Sequence, residues 1–186
     1  MSQLKGKKIA IIAADGVEAV ELTEPKKALE IEGATVHVIS LKIGQIRGFN
    51  HDEPGAAIKV DKAIGEVKAD DYDNLVLPGG VANPDKLRTN AEVIKFVKRF
   101  VDDGKVVAAI CHGPWTLIEA GVVRGRVLTS WPSLKTDITN AGGTWVDKEV
   151  VFDKGLITSR NPSDIPAFNK EIIAEFARGM PLRAAS

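Results

Sequence analysis

A chain of 186 residues has the length of one domain, and 44% hydrophobic with 27% charged residues is an ordinary globular composition. Twenty-five basic residues balance twenty-five acidic ones, a formal net charge of zero that argues against nucleic-acid binding through a general electrostatic field. The single cysteine excludes an intrachain disulfide and any zinc site built from several thiolates.

The polar start Met1-Ser-Gln-Leu-Lys-Gly-Lys-Lys8 lacks the apolar stretch of a secretory signal. The apolar runs are too short to span a bilayer, so a cytoplasmic location and no membrane partner are expected. Residues 9–13, Ile-Ala-Ile-Ile-Ala, form a continuous apolar run, which predicts a strand buried on both faces. Asp15-Gly16 breaks it. Helical spacing follows over 19–32, with Pro25 predicting an irregular or kinked start and Gly33 the stop. Residues 35–40 read as the next strand, completing a right-handed βαβ unit. The Gly- and charge-rich stretch 42–65 fits a small β-hairpin excursion with strands near 45–47 and 57–60.

Residues 75–77 are a further buried strand closed by Pro78-Gly79-Gly80. A clear amphipathic helix covers 91–103, with Val93, Ile94, Val97 and Phe100 on one face and Lys95, Lys98, Arg99 and Asp102 opposite. Strand 106–110 and helix 113–120 come next, with Pro114 in the first turn and Gly121 as the stop. Then follow strand 126–129, helix 132–140, a Gly142-Gly143 turn, and two strands around Asp153-Lys-Gly155, a hairpin turn signal. Helix 162–178 closes the chain. Strands alternating with helices predict one α/β domain over 1–186, its core spanning about 7–178, with a mostly parallel central sheet.

The chemistry concentrates in Val106-Val-Ala-Ala-Ile-Cys111-His112-Gly113-Pro114. A buried strand ends at a cysteine and a helix begins at once. Ligands of open α/β sheets bind beyond the carboxyl ends of strands, and a sharp strand-to-helix turn there presents the side chain at its tip. Ala109 and Gly113 are small enough for that turn. The helix N-terminus is expected to lower the thiol pKa and favour the nucleophilic thiolate. The bland alternative is a cysteine that is simply part of the core. His112 is a candidate base or ion-pair partner for the thiol. Gly79 and Gly80, at another strand's carboxyl end, let backbone N–H groups approach a substrate, and together with the elbow they offer an oxyanion hole. Glu18 or Glu21, after the first strand, reaches the same edge. A protonated carboxyl there would donate to the thiolate, and an ionised one would repel it. His37 alternates with valines in a strand and reads as a satisfied polar position. His51-Asp52-Glu53 is too contiguous to predict a metal site. No cofactor or metal is expected.

These residues resemble the ThiJ/PfpI superfamily, in its PfpI-type branch of intracellular protease-like stress proteins within the class I glutamine amidotransferase-like fold. The likeness rests on Val17-Glu-Ala-Val-Glu-Leu22, Leu75-Val-Leu-Pro-Gly-Gly80, Ala109-Ile-Cys-His-Gly-Pro114, Gly121-Val-Val-Arg-Gly-Arg126 and Thr129-Ser-Trp-Pro132, extended by Asn140-Ala-Gly-Gly-Thr-Trp-Val-Asp147 and Ser159-Arg-Asn-Pro162. It implies a flavodoxin-like three-layer sandwich, Cys111 as nucleophile beside His112, Glu18 as the glutamate that contacts the thiol, and oxyanion positions at Gly80 and the His112 backbone. It also implies a homo-oligomer, in which an acid from the neighbouring subunit completes a Cys-His-acid triad. The matching position here is Asp85, aspartate where archaeal members carry glutamate. The activities implied are those of a cysteine hydrolase acting on peptides, on glyoxal or methylglyoxal adducts (deglycation), or on damaged proteins in stress response. A redox sensor or chaperone using an oxidisable cysteine is the alternative.

Overall fold

The computed structural model describes residues 2–179. A seven-stranded sheet lies at its centre, built from β1 (Lys8–Ile12), β3 (Thr35–Ser40), β6 (Lys62–Ala63), β7 (Asn74–Leu77), β8 (Val107–Ile110), β11 (Val150–Asp153) and β12 (Leu156–Ser159). Their order is β11-β12-β8-β7-β1-β3-β6, and every pairing is parallel except β11 with β12. The chain places β3 on one side of β1 and β7 on the other, so the sheet has its topological switch point between β1 and β7, where open α/β sheets form ligand crevices.

Both faces of the sheet are covered, as the unbroken apolar strands predict. Along β1 the side chains alternate: Ile9 and Ile11 enter one core, Ala10 and Ile12 the other. The first core packs against α1 (Ala19–Ile31) and α6 (Ile165–Arg178) through Leu22, Leu29, Phe168, Ile172 and Phe176. The second packs against α2 (Ala82–Arg88), α3 (Ala91–Asp102), α4 (Pro114–Glu119) and α5 (Lys135–Asn140), with Leu87, Val97, Phe100, Leu117 and Ile138. The result is the three-layer, flavodoxin-like α/β sandwich expected.

Several details differ from the sequence reading. Helix α1 runs unbroken through Pro25, whose ring is buried. Residues 82–88, which carry no strong helical period, form α2. The expected strand near 126–129 shortens to β9 (Val127–Leu128) and leaves the main sheet to pair with β10 (Thr144–Trp145). The hairpin excursion is larger than expected: β4 (Gly44–Asn50) and β5 (Glu53–Val60) pair antiparallel, and β4 also pairs with β2 (Val17–Glu18), directly before α1. The Asp153-Lys-Gly155 turn has the predicted hairpin form, with φ 48° at Lys154 and 83° at Gly155, the two left-handed residues that a right-twisted hairpin favours.

Candidate active site

Cys111 sits one residue beyond β8 with φ 61°, a left-handed conformation that costs a non-glycine residue about 1–3 kcal/mol. The surroundings hold it there. Its N–H donates to the Ser159 carbonyl at 3.1 Å, its carbonyl accepts from Trp131 N–H at 2.9 Å, and Gly113 N–H closes the turn on Ile110 O at 2.9 Å. A Cβ at Gly113 would run into the carbonyl oxygens of Leu77 and Ile110, so only glycine passes under this elbow. The strain turns the sulfur toward the switch-point crevice.

The carboxyl that meets the sulfur belongs to Glu21, in the first turn of α1, and this corrects the assignment to Glu18. Glu21 is fully buried, lies within hydrogen-bonding reach of the Cys111 thiol, and accepts the Gly79 N–H on Oε2 at 3.0 Å. Its Oε1 accepts from no N–H or O–H among the described residues. Glu18 is the last residue of β2. Its Oε2 is engaged by the His51 N–H at 3.0 Å, which fastens the tip of the β4–β5 hairpin to the crevice wall. The two glutamates stand three residues apart, but Glu18 ends the extended strand β2 whereas Glu21 lies in the first turn of α1, and only Glu21 meets the sulfur.

Burial pushes the Glu21 carboxyl from its ordinary 4.5 up to about 8, against the Gly79 N–H, which lowers it. At neutral pH the acid is therefore largely protonated and available as a hydrogen-bond donor. The Cys111 thiol is also pushed up, first by burial and then by the Glu21 charge, while the N–H groups of Gly80 and His112 pull it down. The expected lowering by a helix N-terminus is thus outweighed: α4 has only six residues, and desolvation dominates. What favours thiolate here is the pair of N–H groups, acting once Glu21 is neutral.

Both glycines of the Pro78-Gly79-Gly80 turn are required. A Cβ on Gly79 would stand 2.5 Å from Glu21 Oε2 and 2.6 Å from Cys111 Cβ. Gly80 has φ 78° and packs against the Gly16 carbonyl. Its N–H and that of His112 converge on the sulfur, an arrangement that favours its ionised form.

His112 places Nδ1 3.2 Å from the Cys111 sulfur. The ring stacks on Trp131 with centroids 5.7 Å apart and takes Trp115 edge-on at 5.1 Å. Burial lowers its pKa, so the imidazole is neutral at pH 7 and able to accept a proton. Among the described residues Nε2 has only the Ser133 hydroxyl, at 3.4 Å. Asp85 lies on the exposed face of α2, and within the single chain no carboxylate is bonded to the imidazole among the described residues. His37 bonds the Tyr72 hydroxyl at 2.9 Å, remote from the site. No group of three or more His, Cys, Asp or Glu among the described residues is placed to hold a metal.

Glu18, Glu21, His51, Asp52, Gly80, Val81, Cys111, His112, Trp131 and Pro162 line a cleft of about 410 Å³, and only 6% of Cys111 is exposed. Trp115 and Ser133 carried no signal in the sequence, and Trp131 and Pro162 entered only within the motifs that carry the family resemblance. Glu21 did carry one: it stands four residues before Pro25 and eight before Leu29, so it falls on the buried stripe of α1.

The family model described as the DJ-1/PfpI family matches residues 7–175. The chain is 45% identical over 166 residues to Deglycase PYRAB04690 of Pyrococcus abyssi, covering 89% of this chain and 97% of that one. It is 43% identical over 171 residues to General stress protein 18 of Bacillus subtilis, covering 91% and 97%. Its fold superposes on the crystal structure of Drosophila melanogaster DJ-1beta with a TM-score of 0.84 at 33% identity, covering 92% of this chain and 90% of the other. A cysteine on a strained elbow between a glutamate, a histidine and a Gly-Gly turn is thus accompanied by likeness over nearly the whole length, and the chain belongs to the DJ-1/PfpI family.

Proposed function

We propose that the chain is a cysteine-dependent hydrolase of the PfpI type that removes glyoxal- or methylglyoxal-derived adducts from amino groups and thiols. The observation that carries this reading is the elbow itself: a cysteine at φ 61° whose sulfur meets Glu21, His112 Nδ1 and two converging N–H groups. Strain of this kind persists where surrounding structure is organised around the side chain it presents. A buried thiol that merely filled space would need neither the strain nor the donors.

The steps follow from the contacts. Nδ1 of His112 takes the thiol proton, and the sulfur adds to the adducted carbon. A C–S bond forms and the bond to the substrate amine or thiol breaks, the leaving group departing with the proton held on His112. The N–H groups of Gly80 and His112 hold the oxygen as it gains charge. A proton shift between the two adducted carbons turns the hemithioacetal into a thioester without change in atom count. Water then cleaves the C–S bond, releasing a hydroxy acid and the thiol. Glu21, neutral beside the sulfur, donates to it whenever it is ionised. Asp85 of a second copy orients Nε2 of His112, so that a homo-oligomer carries the complete site. The small cleft favours a short carbonyl adduct. A peptide carbonyl would follow the same steps without the isomerisation.

Turnover of methylglyoxal-treated peptide and of the same peptide untreated, compared between wild type and Cys111→Ala, tests the reading. Release of hydroxy acid by wild type and a loss of at least about a thousandfold in the variant are expected. Equal rates in the two proteins overturn it. Faster turnover of untreated peptide transfers the reading to proteolysis. Absence of any turnover, with rapid peroxide oxidation of Cys111, transfers it to redox sensing.

A further inference from the structure

The Gly79-Gly80 turn aims one N–H at Glu21 and the other at the sulfur, yet glycine has the loosest backbone of any residue. Something else must fix its orientation. Asn83, in the first turn of α2, is completely buried and uses its amide on this turn. Its Nδ2 donates to the Pro78 carbonyl and to the Gly79 carbonyl, both at 2.9 Å. Its Oδ1 accepts the Ala14 N–H at 2.7 Å, two residues past the end of β1. Turning the amide over would set an oxygen against two carbonyls and an NH2 group against an N–H, so only one orientation fits. Both Asn83 N–H donors are spent, and the two carbonyls they hold belong to the peptide units on either side of Gly79. The C=O of Gly79 and the N–H of Gly80 share one peptide plane, as do the C=O of Pro78 and the N–H of Gly79. Fixing each carbonyl therefore fixes the N–H on the opposite edge.

On the functional reading above, we infer that Asn83 is a positioning residue for the thiol: by holding these two peptide planes it directs the Gly80 N–H to Cys111 and the Gly79 N–H to Glu21. It touches neither sulfur nor substrate. Its bland role, as a buried amide that merely stabilises α2, makes the same hydrogen bonds and differs in what its loss should do.

The test measures the pH midpoint of Cys111 alkylation by iodoacetamide, together with kcat and KM, in Asn83→Ser and Asn83→Ala, with thermal melting as the fold check. Both substitutions are neutral, so no new charge perturbs the thiol. Loss of the aimed Gly80 N–H removes a donor from the thiolate, so the midpoint is expected to rise by about half a pH unit or more. A fall in kcat of about tenfold or more with KM within about twofold is expected alongside. Folded variants that keep the wild-type midpoint and kcat overturn the inference. Variants that lose cooperative melting altogether overturn it too, in favour of a purely structural amide. Alkylation needs no substrate, so the midpoint reports on Asn83 even should wild type turn over none of the adducts tested.

Discussion

A carboxyl group walled in against a sulfur atom ties the stability of this protein to its chemistry. The folded state holds the Glu21 proton up to about pH 8, whereas an unfolded chain releases it near 4.5. The raised value means that the stabilisation from keeping Glu21 neutral is fully present below pH 4.5 and lost as pH climbs to about 8. At about 1.4 kcal/mol per pH unit, wild type should lose roughly 3–5 kcal/mol of unfolding free energy across that window beyond what Glu21→Gln loses. Urea denaturation of both proteins from pH 4 to 9 measures it, and parallel pH curves would remove the buried, proton-holding carboxyl from the account. The neighbouring contacts are equally close. Gly79→Ala forces its methyl onto Glu21 and Cys111, so activity should fall at least about a hundredfold, with about 1–3 kcal/mol lost from stability, read by steady-state rates and denaturant midpoints. At this scale the sequence was legible where backbone chemistry leaves a mark. Cys111 stands between a buried strand and Gly113-Pro114, and two adjacent glycines follow a strand end. It was ambiguous between Glu18 and Glu21, because their spacing of three would suit one helical face, whereas Glu18 belongs to the two-residue strand β2, paired to a hairpin distant in sequence.

Among the elements, those with a strong period were read well and those defined by their neighbours were not. The strands β1, β7 and β8 announce themselves as apolar runs because both of their faces are buried. Helix α3 shows a polar and an apolar face, and the Asn90 side chain caps its first N–H groups. Helix α2 is seven residues long with Pro84 inside, too short for a period to show, and it exists because Asn83 and Leu87 are buried against the rest of the fold. The excursion of β9 and β10 likewise reflects packing rather than propensity. One loop with functional weight links the last strand to the last helix. There Arg160 binds Asp164 through Nε and Nη2, both at 2.9 Å, and Asp147 through Nη1 at 2.8 Å, beside Pro162 in the cleft wall. Asp164 is nearly fully buried and also accepts the backbone N–H of residue 160 at 2.9 Å, so Arg160→Ala removes the guanidinium and leaves the carboxylate on that one N–H. Its cost, discounted for the part-exposed guanidinium, should be about 2 kcal/mol, seen as a lowered urea midpoint. An unchanged midpoint would mean that Asp164 is held by other contacts.

On the scale of the whole molecule, the sheet gathers one contribution from each of three consecutive strand ends. Glu21 follows β1, Gly79 and Gly80 follow β7, and Cys111 follows β8, all at the switch point. What the described residues of a single chain do not supply is an acid for His112 Nε2. Asp85 is exposed on α2, and Val81, 58% exposed, stands at the cleft mouth beside that helix. If a second copy brings its Asp85 to this mouth, Asp85→Ala should lower kcat about tenfold or more while leaving the melting temperature within a few degrees of wild type. Wild-type rates in that variant would take the acid out of the site. No helix among the described residues is long and apolar enough to cross a membrane. The most direct trial of the whole account is to quench wild type with acid during turnover of methylglyoxal-treated peptide and weigh the tryptic fragment containing Cys111. A covalent three-carbon adduct on that fragment, absent from untreated controls, is the result expected; steady turnover with Cys111 always unmodified, and undiminished in Cys111→Ala, would contradict it.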